Sequence, residues 1–166
     1  MPDEIWAINT IPRGVKCDVC FIMDDYHCFK GHHPQFAQWM ETCDIPLITS
    51  VAHKACPSSV AYPLAEVLSM PGARPFFNHT VAYMIAYAIL IGVKEIDIFG
   101  ADYISTAAPY LTGFEEQQGS ARFLGCASFW TGMAAGRGVA ISVSPSSPLL
   151  DADVSPDRWF YGYIVK

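Results

Sequence analysis

Charge is scarce in this chain, and positive charge above all. Of its 166 residues 16% are charged, and 10 basic against 16 acidic side chains leave a net −6. Such a chain lacks the field that non-specific nucleic-acid or anionic-membrane binding needs, so neither partner is expected. Long apolar runs are missing too. The longest covers residues 81–91 and stops at Gly92-Val93-Lys94, far short of the ~20 residues of a membrane span. Met1-Pro2-Asp3-Glu4 has neither a basic n-region nor an apolar core, so the reading is a cytoplasmic protein without a secretory leader. There is no G-x-G-x-x-G and no G-x-x-x-x-G-K-[ST], hence no dinucleotide fingerprint and no P-loop. No G-x-S-x-G elbow marks a serine hydrolase.

What remains is apolar and aromatic. Hydrophobic residues make up 52% and aromatic ones 13%. That is ample for a core, and residues 1–166 are expected to form a single domain. Little charge with many aromatics also points to surface hidden in a homo-oligomer. Six cysteines stand at 17, 20, 28, 43, 56 and 126, read as reduced and mostly buried thiols. Cys17-x-x-Cys20, with His27, Cys28, His32 and His33 nearby, has the composition of a zinc site. However, two side chains three apart on a strand point to opposite faces, so zinc is not expected.

Apolar runs predict strands at 4–9, 18–25, 45–50, 95–100 and 139–143. Helical spacing appears over 33–43. A second helix, 81–92, follows the capping residues Asn78-His79-Thr80 and ends at Gly92. A third, interrupted by glycines, runs over 113–136. Residues 51–77 are rich in Pro, Ser and Gly and show no clear pattern. Residues 101–112 read as a loop, and the aromatic tail, 158–166, as an edge strand or interface arm. Strands alternating with helices argue for an α/β three-layer sandwich with a mainly parallel sheet.

Ligands of such sheets bind outside the carboxyl ends of the strands. Here those ends carry Asn9, Asp24 with Asp25, Thr49 with Ser50, Gly100 with Asp102, and Ser144, Ser146 and Ser147. The amino end of helix 81–92, with His79 and Thr80, faces the same rim and favours an anion. The set is expected to seat a phosphorylated small molecule. Asp24 and Asp25 are the candidates for holding Mg²⁺ against its phosphate. Each residue taken alone is equally a turn or cap former, and the Asp/His stretch equally a solvated polar loop.

The stretch Asn78-His79-Thr80-Val81-Ala82-Tyr83-Met84, followed by Gly92-Val93-Lys94-Glu95-Ile96 and Gly100-Ala101-Asp102-Tyr103, resembles two bacterial groups. One is the CMP-sialic-acid-dependent sialyltransferases of the Campylobacter type. The other is the MptE-like 6-hydroxymethylpterin diphosphokinases (domain of unknown function 115). In both, a capped helix leads through a G-x-K-E-I turn into a strand ending in G-x-D. The resemblance extends to Ala7-Ile8-Asn9 and to the strand and turn of residues 138–150. It implies a Rossmann-like fold, with Asn9 on the nucleotide and His79 and Thr80 at the helix start that meets it. It also implies Asp102 near the phosphate or its metal, Ser146 and Ser147 beside base or ribose, and Asp24 helping to hold Mg²⁺.

The chain departs from both groups at its start, where their first strand and Gly-rich loop are missing. It has no histidine after His79, whereas the sialyltransferases use a late one as base. Ile104 stands where the first of their two phosphate-steadying tyrosines would be, and Tyr110 is a loose match for the second. The expected function is therefore binding of a nucleotide or nucleotide-sugar phosphate. The chain would be a glycosyltransferase-like or diphosphokinase-like transferase, or an N-terminally reduced relative of one. The alternative is a non-catalytic oligomeric binding or assembly module.

Overall fold

The computed structural model describes residues 4–9, 11–101 and 113–152, with backbone alone at 13, 113–120 and 151. Among them the chain is mixed α/β, and every paired strand is parallel to its neighbour. It divides into two compact units at the Ala65–Glu66 bond.

The first unit is built on a four-stranded sheet: β1 (Trp6–Ile8), β2 (Val19–Ile22), β3 (Leu47–Thr49) and β4 (Ser59–Ala61), side by side in chain order. Two helices, α1 (Tyr26–His32) and α2 (Pro34–Thr42), carry the chain from β2 to β3. β2 and β3 are apolar on both faces, as strands in the middle of a parallel sheet must be. Their register sets Cys20 beside Leu47 and Phe21 beside Ile48. Cys20, Ile22 and Leu47 join Tyr26, Phe29, Phe36 and Met40 in one buried cluster. Phe21 and Ile48 alternate to the opposite face, where Phe21 lies 5.3 Å from the Trp6 ring. The edge strand β4 is mostly exposed, with Val60 and Ala61 turned to solvent.

α1 begins because Asp25, in extended geometry, accepts the His27 N–H at 2.7 Å, as an N-cap does. It ends at His33 because the residue before a proline avoids helical torsions. His33 sits at φ −138°, and Pro34 then opens α2.

The second unit holds α4 (Thr80–Leu90), β5 (Glu95–Ile98), α5 (Gly113–Ala135) and β6 (Ala140–Val143); the short helix α3 (Leu64–Ser69) spans the division. α4 and α5 stop in the same way. Gly92 (φ +78°) and Gly138 (φ +81°) take the left-handed conformation. Val93 N–H reaches back to Ala88 O at 3.0 Å and Val139 N–H to Ala134 O at 3.2 Å, the six-residue closure of a Schellman motif. Each stop feeds a strand, and β5 and β6 pair with Ile96 beside Ile141 and Asp97 beside Ser142. One face of this pair is therefore polar and exposed, with Glu95, Asp97 and Ser142, while Ile96, Ile98, Ile141 and Val143 share the other. Trp130 is fully buried in α5 and donates its indole N–H to Phe76 O at 3.0 Å. Phe77 stacks on both Trp130 and Tyr83.

The expected strands are all present, one to four residues shorter than their apolar runs. α1, β4 and α3 arise where no regular element is expected. The loop after Ala101 and the aromatic tail lie outside the described residues.

Candidate functional site

The carboxyl end of the first unit's sheet begins with Asn9. Its N–H extends the β1–β2 ladder to Phe21 O at 3.0 Å, and its carbonyl lies 3.6 Å from the Cys20 thiol. Its backbone is left-handed, φ +47°, which asparagine tolerates better than other side-chain-bearing residues. The side-chain oxygen Oδ1 is buried and, among the described residues, has no hydrogen-bond partner. Leaving such an acceptor unmet costs about 1–3 kcal/mol. An amide oxygen asks for a donor, so the group that satisfies it is an N–H or O–H, not a phosphate oxygen.

On the neighbouring strand the chain leaves the sheet through Asp24 and Asp25, both exposed. One Asp25 oxygen is occupied as the α1 cap. Thr49 at the end of β3 is not a free rim group. It is buried, with its hydroxyl within bonding distance of Val51 O (2.8 Å) and Val60 O (3.3 Å). Ser50 beside it is exposed.

In the second unit, His79 caps α4 through its own ring: Nδ1 accepts the Val81 N–H at 3.3 Å. Phe123 packs 5.2 Å from that ring. Thr80, 7% exposed, is the first helical residue. Past β6, Ser147 is buried, donating to Ala101 O and accepting the Leu149 N–H at 3.2 Å. Its hydroxyl ties the turn after β6 to the residue after Gly100. Ser146 is exposed and shares a 3.0 Å hydrogen bond with Ser144. Asp102 lies outside the described residues.

The structure thus brings Asn9 and the Asp24–Asp25 turn to adjacent strand ends in one unit. It joins His79 to Thr80, and Ser147 to Ala101, in the other. Among the described residues no three His, Cys, Asp or Glu side chains converge as a metal site. Six free thiols are found: Cys17, Cys20, Cys56 and Cys126 buried, Cys43 half-buried and Cys28 exposed. Burial pushes the Cys17, Cys20, Cys43 and Cys56 thiols above the ordinary cysteine range.

Two features of the first unit escaped the sequence pattern. His53, in the loop between β3 and β4, stands 6.3 Å from the His27 ring, and Tyr26 lies 5.4 Å from each. Tyr26 donates its hydroxyl to Glu41, and this hydrogen bond with burial pushes its pKa up to about 12. A groove of about 330 Å³ opens at the other end of the sheet, among Pro12, Cys17, Trp39, Cys43 and Ile45. It surrounds the amino-terminal ends of β2 and β3, not the rim expected from the sequence. No helix among the described residues is long and apolar enough to cross a membrane.

No family model matches the chain, and no curated protein or solved structure is found to be similar to it.

Proposed function

We propose that this chain is a Rossmann-like protein that binds a nucleotide or nucleotide-sugar phosphate at the carboxyl ends of its parallel strands. We take it to be a protein of the transferase type. The observation that supports this reading is the buried Oδ1 of Asn9 at the end of β1, unpartnered among the described residues. Ribose hydroxyls and the exocyclic amines of bases are donors of the kind it requires. Asp24 and Asp25, at the end of the neighbouring strand of the same unit, are the further groups assigned to the ligand.

Mg²⁺ fits this reading in a limited way. Asp24 and the second oxygen of Asp25 are hard donors, and Mg²⁺ is commonly held by one or two carboxylates, with phosphate oxygens and water completing its shell. The ion would neutralise phosphate charge when bound. The chain's own part is to hold the two carboxylates at the end of β2, where the α1 cap fixes the turn.

The test is calorimetric titration of the full chain with CMP, GTP, ATP and nucleotide sugars, with and without Mg²⁺. At least one nucleotide is expected to bind, and Asn9→Ala is expected to weaken it tenfold or more, about 1.4 kcal/mol. A flat response to every nucleotide, or unchanged affinity in Asn9→Ala, removes this reading.

A further inference from the structure

Thiols gather in the interior of the first unit, and two of them border its groove. Cys43 packs against the buried cluster that contains Cys20 and Cys56. Cys17 and Cys43 stand together in the groove wall with Trp39 and Ile45. Cys17 is 6% exposed, whereas Cys43 is half-buried. Burial raises the Cys17 thiol first, then Asp18, then Cys43, so Cys17 senses charge on Cys43. These two thiols differ from Cys20 and Cys56 in freedom as well as in access. Cys20 is fully buried and fixed in β2 by its N–H bond to Pro46 O at 3.0 Å, and its sulfur lies 3.6 Å from Asn9 O. Cys56 is fully buried and stands outside the groove wall. Cys17 precedes β2 and Cys43 follows α2, so each lies in connecting chain. Such chain can bring two Cβ atoms to the about 3.8 Å of a disulfide without breaking the β2–β3 ladder.

We propose that Cys17 and Cys43 are a redox-active thiol pair, closed to a disulfide by a low-molecular-weight disulfide, R–S–S–R, that enters the groove. The Cys43 thiolate attacks one sulfur of R–S–S–R, forming the Cys43–S–S–R mixed disulfide and releasing R–S⁻. The Cys17 thiolate then attacks the Cys43 sulfur, which forms the Cys17–Cys43 bond and expels the second R–S⁻. The protein pair gives up two electrons and two protons, and the small disulfide leaves as two R–SH. Cys43 is the entry thiol because it is the more exposed of the two. Cys17 meets Cys43 alone and no outside reagent. Thiolate is the attacking form, and burial holds both thiols above the ordinary range, so closure is faster at pH 9 than at pH 7. The bond ties the start of β2 to the end of α2. This site lies at the other end of the sheet from Asn9, and it does not rest on nucleotide binding.

The experiment treats the folded full chain with oxidised glutathione at pH 7 and pH 9, blocks the remaining thiols with N-ethylmaleimide in acidic denaturant, and maps the disulfides by peptide mass spectrometry. The expected result is a Cys17–Cys43 link that dithiothreitol reverses. In Cys17→Ser, Cys43 is expected to stay as its glutathione mixed disulfide, and in Cys43→Ser, Cys17 to stay unmodified. Circular dichroism confirms that each variant is folded, and the map of the unaltered chain decides the matter even if Cys17→Ser perturbs the packing. Cys43 left in the unaltered chain as a free thiol or as a mixed disulfide overturns the inference. So does a link from either thiol to Cys20 or Cys56, or closure no faster at pH 9 than at pH 7.

Discussion

A single hydroxyl shows how one residue's surroundings become a property of the fold. Tyr26 is buried against α2 and donates to Glu41. The folded chain therefore holds the phenol proton to about pH 12, against an ordinary value of 10. The native state keeps a proton that the unfolded chain releases, so this contribution is intact below pH 10 and is lost as pH rises through 12. Denaturation midpoints followed from pH 9 to 12 are expected to fall more steeply for the native sequence than for Tyr26→Phe. Parallel curves would show that the Tyr26–Glu41 bond carries no such linkage. Asn9 shows the limit of reading at this scale. Asparagine after an apolar run is visible in the sequence as a turn former. Its orphaned oxygen is not, because orphaning depends on what fails to reach it in space.

Elements form where local signals agree. α4 has a capping residue, an apolar run and a terminal glycine, and it is found within a residue or two of its expected limits. α5 likewise covers nearly the whole stretch assigned to it. The shared glycine stop makes a quantitative prediction. A Cβ built on Gly92 or Gly138 meets nothing within 4 Å, so alanine there costs the left-handed conformation alone, about 1–2 kcal/mol. Urea unfolding of Gly92→Ala and Gly138→Ala is expected to show losses of that size, with unchanged secondary structure. α1 escaped the pattern because seven residues bury just Tyr26 and Phe29, too little for a helical period to register. β4 is three residues long and mostly exposed. Its existence rests on pairing with β3, which no local window contains.

At the scale of the whole molecule, the thiols report how the chain uses a protected interior. Five of the six cysteines fall before the Ala65–Glu66 division and one after it. Cys28 is the exposed one. Thiolate is the reactive form, and burial both hides a thiol and raises its pKa. Native protein treated with a thiol reagent at pH 8 is expected to label Cys28 first and the half-buried Cys43 more slowly, and Cys28→Ser to abolish the fastest phase. The buried Cys17, Cys20, Cys56 and Cys126 should react at the rate of opening. Rapid labelling of Cys17, Cys20 or Cys56 would contradict the packing of the first unit.

The five expected strands, the helices α2, α4 and α5 and the glycine stop at Gly92 were determined locally, by short-range apolar periodicity and left-handed glycine. Tertiary structure decided which polar residues are free. Thr49 and Ser147 look like rim groups in the sequence but spend their hydroxyls on backbone carbonyls. Asn9 keeps an acceptor unmet, and His53, which no pattern marks, stands beside His27. The reason is physical: periodicity reports which face of an element is buried, whereas hydrogen-bond satisfaction and ring proximity depend on partners far away along the chain.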